Sequence, residues 1–354
     1  MAKKSFFKRN WKLILNIATL VALAAMVVLI WDQIEATFEN LRSVNLWVLS
    51  LMIPLLAINY HGQAQIYRGL FATLGNKLKY WPTLKASFEI NFINRIFPSG
   101  GVSGISYFGM RMRSNEITGG RATMVHIMRL FLQFTSFEVL LIIGLIFLSL
   151  SGHANDVVIL VATSISTLLV VGTAAFIYIV GSEKRIHATF GALTRGINKA
   201  VKFFRPKRPD IIDIGRAEKL VQEMHNTFKM VFRHLKNMRV PFLWALAVNA
   251  TEVLSVYVVY VAFGSWVNVG AVILAFAVAN FAGLISVLPA GAGIYEFLMT
   301  AVLTAAGVPL ALSLPATIMF RVLSTLLQVI PGYYFYHKAV KEVGSQSPPK
   351  QVAI

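Results

Sequence analysis

Seven charged side chains lie inside stretches of this chain that are otherwise apolar, and they are the residues best suited to do chemistry. They are Glu89, Arg95, Arg129, Glu138, Glu252, Glu296 and Arg321. Each costs about 2.5 to 3.5 kcal/mol at the centre of a bilayer, so the set would cost roughly 20 kcal/mol in lipid. We therefore expect these side chains to face one another or a hydrated cavity.

Two breaks rich in proline and glycine interrupt the apolar stretches at matching places in the two halves of the chain. Their sequences are Pro98-Ser99-Gly100-Gly101 and Pro289-Ala290-Gly291-Ala292-Gly293. A half-helix that begins after such a break directs free N–H groups and the positive end of its dipole into a cavity, which favours an anion. Close helix packing is a second role for the glycines, and the sequence leaves both roles open.

These features predict a binding site for an anionic group at the two breaks. The predicted site residues are Arg95, Pro98, Ser99, Gly100, Gly101, Arg129, Pro289, Gly291, Gly293, Glu296 and Arg321. Guanidinium forks suit phosphate oxygens, although permanent pairing of each arginine with a glutamate is the alternative. The residues predicted to be available for proton coupling are Glu89, Glu138, Glu252 and Glu296.

The composition places the chain among polytopic membrane proteins of the all-α class. Mean hydropathy is +0.66, and 56% of the 354 residues are apolar. Apolar runs of about 20 residues, long enough to span a bilayer, begin near Lys12, Leu46, Ala122, Asp156, Pro241, Asn268 and Leu310. The chain has no cysteine, which excludes disulfides and thiolate chemistry. The sequence predicts no metal site and no cofactor.

The basic residues predict how the chain threads through the membrane, because lysine and arginine mark the cytoplasmic side. They place both ends of residues 83–110 inside and both ends of residues 268–306 outside, so each broken segment is predicted to be a re-entrant hairpin. The predicted fold is an inverted repeat with about six full spans, two hairpins and cytoplasmic termini. The alternative is that both breaks are loops between ordinary spans, which gives ten shorter helices.

The predicted organisation has five parts. They are a basic cytoplasmic N-terminus (1–11), a first membrane repeat (12–150), a second repeat (156–181 and 241–340), a basic cytoplasmic loop inserted in the second repeat (182–240), and a disordered tail (341–354). Two apolar helical stripes in the loop predict either helices that lie on the inner leaflet or a helical hairpin that packs on itself. The net charge of +18 favours anionic lipid headgroups as partners over nucleic acid, because the chain has no nucleic-acid recognition motif.

Two blocks of residues resemble a known family. The block from Pro289 to Glu296, followed by Arg321 and Pro331-Gly332, is similar to the lysylphosphatidylglycerol synthase transmembrane-domain family, the flippase-like membrane region of the bacterial multiple peptide resistance factor. Residues 91–113, with Pro98, Gly101, Gly104 and Arg111, and then Arg129, resemble its other characteristic block. The resemblance extends from about residue 12 to residue 340. The family often has an acidic residue before the second arginine of that block, where this chain has Met128.

The resemblance implies a protein of the bacterial or archaeal cytoplasmic membrane that moves, or helps to expose, a phospholipid or a polyprenyl-linked lipid. It carries over Pro98, Arg129, Pro289, Gly291, Gly293, Glu296 and Arg321 as motif positions. The 354 residues leave no room for a soluble aminoacyl transferase domain, so we do not expect aminoacylation of lipid.

The resulting hypothesis is a flippase-like lipid translocator that is not an enzyme. Arg129, Arg321 and the half-helix N-termini would hold an anionic headgroup while the acyl chains stay in the bilayer. The expected partners are lipids with anionic headgroups, and a homo-oligomer is compatible with the sequence. The alternatives are a lipid-modifying transferase with Glu296 as its base, a non-transporting subunit of lipid-glycan assembly and, as a minor option, an ion channel.

Overall fold

A computed structural model describes residues 31–97, 102–113, 117–150, 156–192, 214–285 and 293–343, together with residues 21, 24, 25, 27 and 28. Every regular element in these ranges is helical, which confirms the all-α prediction. The main helices are α1 (Trp31–Asn40), α2 (Met52–Thr73), α3 (Tyr80–Ile96), α4 (Val102–Arg113), α5 (Gly119–Leu150), α6 (Asp156–Val180), α7 (Ile214–Arg233), α8 (Arg239–Ala262), α9 (Val269–Ile285), α10 (Ile294–Ala305) and α11 (Leu310–Val343).

Four helices of the described part are long and apolar enough to cross a bilayer, and they lie within α5, α6, α8 and α11. Helix α2 has 22 residues, but polar side chains such as Asn59, Gln63 and Gln65 lower its hydropathy. The predicted first span lies largely outside the described residues. Helix α11 continues to Val343, three residues into the predicted tail, and the rest of that tail also lies outside the described residues.

Each break is flanked by a 17-residue helix and a 12-residue helix, α3 and α4 in the first half and α9 and α10 in the second. At 1.5 Å per residue a 12-residue helix is about 18 Å long. This is shorter than the roughly 30 Å of a bilayer core. The two helices of each pair pack against each other. Short helices are expected both for re-entrant hairpins and for loops between shorter spans, so the hairpins stay a prediction.

The two halves repeat one order of elements, a long helix, a hairpin and a second long helix. Helices α2 and α8 each end two residues before a glycine with a positive φ, Gly75 (82°) and Gly264 (77°), a backbone conformation that favours glycine. Helices α2 and α8 pack together at the centre. Helix α3 packs on α11, and its counterpart α9 packs on α5, so each hairpin contacts the last helix of the other half.

Two large apolar cores lie toward opposite ends of the bundle. One core contains Leu141, Val259 and Met299, and the other contains Phe71, Met124 and further side chains of α2 to α5 and α7. Helices α2, α5 and α8 each contribute side chains to both cores. On each of these helices, polar side chains lie between the two groups of core residues. A polar layer therefore separates the cores.

The described part of residues 182–240 packs on protein. Val221, Met224, Phe228 and Val231 of α7 are buried in the core formed with α5 and the end of α6. The stripe on α7 therefore faces protein, where it packs with α5, the end of α6 and Ile186 of the other loop stripe. The contact with Ile186 is the packing within the loop that the helical-hairpin interpretation predicts. Most of the other stripe lies outside the described residues.

Hydrogen bonds fix α7 on this surface. Glu223 Oε2 accepts from the backbone N–H of Gly120 at 3.1 Å, and the Nδ1–H of His225 donates to the carbonyl of Val180 at 2.9 Å. Helix α7 is thereby attached to the first turn of α5 and the last turn of α6.

Close contact between the halves gives a prediction on stability. A Cβ atom added to Gly332 of α11 would lie 2.7 Å from the Cβ of Phe92 and 3.2 Å from the carbonyl oxygen of Phe88, both on α3. Because such overpacking forces helices apart, we expect Gly332→Ala to lower the free energy of unfolding by about 1 to 3 kcal/mol. Unfolding of purified protein by SDS in mixed micelles measures this.

The matched control is Gly172→Ala on α6, where an added Cβ meets nothing within 4 Å. Since alanine favours helix over glycine, we expect no loss of stability there. Equal stability of the Gly332 variant and the wild type would contradict the packing of α3 on α11.

Candidate functional site

A cavity of about 330 Å³ lies in the polar layer between the two cores. Helices of both halves line it, namely α2, α3 and α5 from the first and α8, α9, α10 and α11 from the second. Three of its lining residues are the embedded arginines Arg95, Arg129 and Arg321. The structure therefore brings together the cations that the sequence places far apart in the chain.

Arg129 is held without a carboxylate. Its Nη2 donates to Gln63 Oε1 at 3.0 Å and its Nη1 donates to the Tyr67 hydroxyl at 3.3 Å. The guanidinium also lies over the Tyr67 ring, 5.2 Å from the centroid. Arg129 is buried, with 5% exposure. Even so, no acidic group among the residues that the structure describes lies within 4 Å of its guanidinium. Its positive charge is therefore not neutralised by direct contact.

Arg321, the counterpart in the second half, is paired. Its Nη1 donates to Glu296 Oε1 at 2.5 Å, and its guanidinium lies over the Tyr295 ring, 4.7 Å from the centroid. The other carboxylate oxygen, Oε2, accepts from the backbone N–H of Gly293 at 2.7 Å and caps α10. Gly293 has φ 85° and ψ −51°, a conformation that residues with a Cβ avoid. Glycine at this position allows the short turn that places the carboxylate against the arginine.

Arg95 joins the two halves across the cavity. Its Nη1 donates to Thr325 Oγ1 at 3.1 Å and its Nε donates to Gln328 Oε1 at 3.3 Å, both on α11. Glu252 also lines the cavity, within electrostatic range of Arg95 and Arg129 but without an ion pair shorter than 4 Å in the described part of the chain.

The other predicted residues lie elsewhere. Glu89 is buried inside the first hairpin, where Oε2 accepts from Arg111 Nε at 3.1 Å and from the Tyr107 hydroxyl at 2.7 Å. Glu138 is half-buried on α5 and is not among the residues that line the cavity. The predicted residues Pro98, Ser99, Gly100, Gly101, Pro289 and Gly291 lie outside the described residues.

Sequence reasoning missed a set of carboxamide side chains in the cavity wall. They are Asn59, Gln63, Asn91, Asn94, Asn280 and Gln328. The sequence contains a signal for these residues, namely polar side chains at helical spacing within apolar stretches. Asn59 and Gln63 are four positions apart, and Asn91 lies three positions before Asn94 and four before Arg95, so each set shares one helix face. Neutral amides cost less to bury than charges do, so an amide in an apolar stretch is a weaker sign of a polar cavity.

These features define the class, a multi-pass all-α membrane protein with a polar, arginine-lined cavity inside its helix bundle. A family model described as Lysylphosphatidylglycerol synthase TM region matches residues 15–332, and the chain belongs to that family. A comparison with curated proteins found no match. The family relates the chain to membrane lipids and confirms the resemblance of the two motif blocks.

Proposed function

We propose that this protein is a lipid translocator that moves an anionic lipid headgroup across the cytoplasmic membrane of a bacterium or archaeon. The observation that carries the proposal is the position of Arg129 and Arg321, two repeat-equivalent arginines that line one cavity. Family membership supports a substrate among membrane lipids. We place both termini in the cytoplasm, because the basic residues concentrate beside the spans on that side.

The charge of the cavity favours an anion. Three guanidinium groups line it, and two carboxylates lie beside them, Glu252 on the wall and Glu296 on Arg321. With all five groups ionised, one positive charge is left without a compensating negative one. An uncompensated charge away from bulk water is costly. A bound phosphate group would compensate this charge, so the cavity is more stable with an anion in it than without one. Arginine suits this role because its planar fork matches phosphate oxygens.

The cavity has the size of a headgroup and not of a whole lipid. Its volume of about 330 Å³ lies at the lower end of the range for small-molecule sites in proteins. Apolar side chains, among them Leu56, Phe276 and Leu327, form another part of the wall. We therefore assign the phosphate-bearing headgroup to the cavity and leave the acyl chains in the bilayer.

The packing of the two halves supports alternating access. Each hairpin contacts the last helix of the other half, so rocking one half against the other changes which end of the cavity is open. We propose that the headgroup enters from one leaflet, stays with the arginines during this motion and leaves toward the other leaflet. Any energy input is assigned to an ion gradient or to removal of the lipid on one side.

Transport suits the site better than a transferase reaction with Glu296 as base. A general base must reach the proton that it takes, and partners that stabilise the ionised carboxylate make it a weaker base. Both oxygens of Glu296 already accept hydrogen bonds, from Gly293 and from Arg321. The carboxylate is thus engaged in holding the arginine.

Reconstitution of the purified full chain in liposomes tests the proposal. Fluorescent phospholipids labelled on an acyl chain report headgroup transfer as the fraction that becomes accessible to an external reductant. We expect faster transfer of anionic lipids than in protein-free liposomes. Transfer no faster than in protein-free liposomes for every lipid would contradict the proposal, and covalently altered lipid in mass spectra would favour the transferase instead.

A further inference from the structure

The carboxylate of Glu252 on the cavity wall carries an inference that rests on the proposed function and deepens it. We propose that Glu252 takes up a proton when an anionic headgroup enters the cavity, so that the proton and the headgroup cross the membrane together. The proton comes from the solution on the side of entry and is released to the solution on the other side. A proton gradient is then the energy source of transport.

Glu252 differs from the other acidic side chains of the apolar stretches because it has no ion-pair partner and lines the cavity. Glu296 is bonded to Arg321 and caps α10. Glu89 accepts hydrogen bonds from two side chains of α4, and Glu138 does not line the cavity. Glu252 lines it and, in the described part of the chain, has no basic group within 4 Å. Of these four carboxylates, Glu252 can therefore exchange a proton with the cavity without breaking an ion pair.

Charged and titratable groups of five helices surround Glu252. They act on it electrostatically, line the same cavity or pair with a lining residue, and they are Tyr60 (α2), Arg95 (α3), Arg129 (α5), Tyr295 and Glu296 (α10) and Arg321 (α11). Helix α9, which also packs on α8, has no ionisable side chain. Asn59 of α2, a neutral amide, lies beside the carboxylate and can hydrogen-bond either of its protonation states. The net charge that faces Glu252 is therefore positive.

Glu252 and an anionic headgroup compete for the same cations. With no headgroup bound, the ionised carboxylate offsets part of the charge of Arg95 and Arg129 from beyond 4 Å. A phosphate group that enters the cavity binds these guanidinium groups directly and repels the carboxylate, because two anions at one site disfavour each other. Protonation of Glu252 removes this repulsion. The proton and the headgroup therefore favour each other's binding, and by linkage each increases the affinity for the other by the same factor.

Proton uptake on binding is the first test. Dihexanoyl phosphatidylglycerol is added to the purified full chain in weakly buffered detergent solution, and the protons consumed are titrated at several values between about pH 5 and pH 8. We expect uptake that reaches at most about one proton per bound lipid within this range. Glu252→Gln, which resembles the protonated form, is expected to bind the lipid with almost no uptake. No uptake by the wild type, or equal uptake by the Glu252→Gln variant, would overturn the inference.

Two further variants test the assignment to Glu252. Glu138→Gln removes a half-buried acidic side chain of α5 that does not line the cavity, so we expect the uptake of the wild type. Glu252→Asp keeps a carboxyl group at the site, so we expect it to retain uptake that the glutamine variant loses. Loss of uptake in Glu138→Gln would place the proton elsewhere and overturn the assignment.

A pH gradient across liposomes tests the coupling of the proton to transport. Coupling of one proton to one headgroup shifts the distribution of acyl-labelled phosphatidylglycerol toward the alkaline side by up to about tenfold per pH unit, because one pH unit is a tenfold ratio of protons. We expect the wild type to produce this shift beyond that of protein-free liposomes, and Glu252→Gln to transfer the lipid without it. The same distribution with and without a gradient in the wild type would overturn the inference and leave the proposed function standing.

The two measurements separate a failure of the inference from a failure of the proposed function. If phosphatidylglycerol and every other lipid cross no faster than in protein-free liposomes, the proposed function fails. Proton uptake in detergent then decides the role of Glu252 alone. Uptake that Glu252→Gln abolishes would support a proton site linked to anion binding, and its absence would overturn that site as well.

Discussion

Replacing Arg129 with glutamine is expected to slow headgroup transfer in liposomes by about ten- to 100-fold. Arg129 is buried and, in the described part of the chain, has no carboxylate within 4 Å, so an incoming phosphate meets its charge directly. A hydrogen bond to a charged group contributes about 1.5 to 3 kcal/mol, which corresponds to this range of rates. Initial rates of transfer at equal protein density measure the effect.

Two variants separate charge from structure in this experiment. Arg129→Lys keeps the charge and loses the fork, so we expect an intermediate rate. Arg68→Gln removes a half-buried arginine of α2 that donates to Leu78 and Gln65 and does not line the cavity. We expect its rate to equal that of the wild type. A wild-type rate in Arg129→Gln would contradict the role of this cation.

Breaking the ion pair between Glu296 and Arg321 is expected to have the largest effect on stability. Each single variant, Glu296→Gln or Arg321→Gln, leaves one buried charge without its partner, and such a loss typically costs about 3 to 5 kcal/mol. The glutamate variant also replaces the charged cap on Gly293. Unfolding by SDS in mixed micelles gives the free energies.

The double variant is the informative comparison. Because it removes both charges together, we expect it to lose less stability than the sum of the two single variants. The exposed Glu183→Gln serves as a control and is expected to change stability by less than about 0.5 kcal/mol. Additive losses in the double variant would contradict direct pairing of the two side chains.

The sequence was sufficient to predict the convergence of the embedded arginines, because ionised groups in apolar stretches have few low-energy surroundings. It did not predict their partners. Glu89 pairs with Arg111 of α4, which is not one of the seven embedded charges. Partner choice depends on how α3 and α4 fold back on each other, and one-dimensional charge patterns do not contain that geometry.

The difference between the two halves is also partly visible in the sequence. Met128 stands where the family often has an acidic residue, and the structure buries it in an apolar core, with 2% exposure. No carboxylate therefore adjoins Arg129 from its own helix, whereas Arg321 receives one from α10. Arg321 thus has a carboxylate partner, whereas Arg129 has none within 4 Å in the described part of the chain. The two equivalent arginines therefore differ in how their charge is compensated.

The carboxamides show a limit of reasoning from charge alone. Asn94, Asn280 and Gln328 are neutral, and they lie on three different helices. Their convergence depends on the contact of α3 with α11 and on the position of α9, which follow from packing between the halves. Helical spacing can propose such residues, but only the tertiary contacts bring them to one wall.

The most direct test of headgroup entry into the cavity is photo-crosslinking with phosphatidylglycerol that carries a photoactivatable group on its headgroup. The purified full chain is irradiated in liposomes, and the modified residues are located by mass spectrometry. We expect labels on cavity residues from both halves, such as Gln63 and Gln328, and loss of those labels in Arg129→Gln. Labels confined to the basic segment of residues 182–240, with none in the cavity, would contradict the central claim that two repeat-equivalent arginines bind one headgroup.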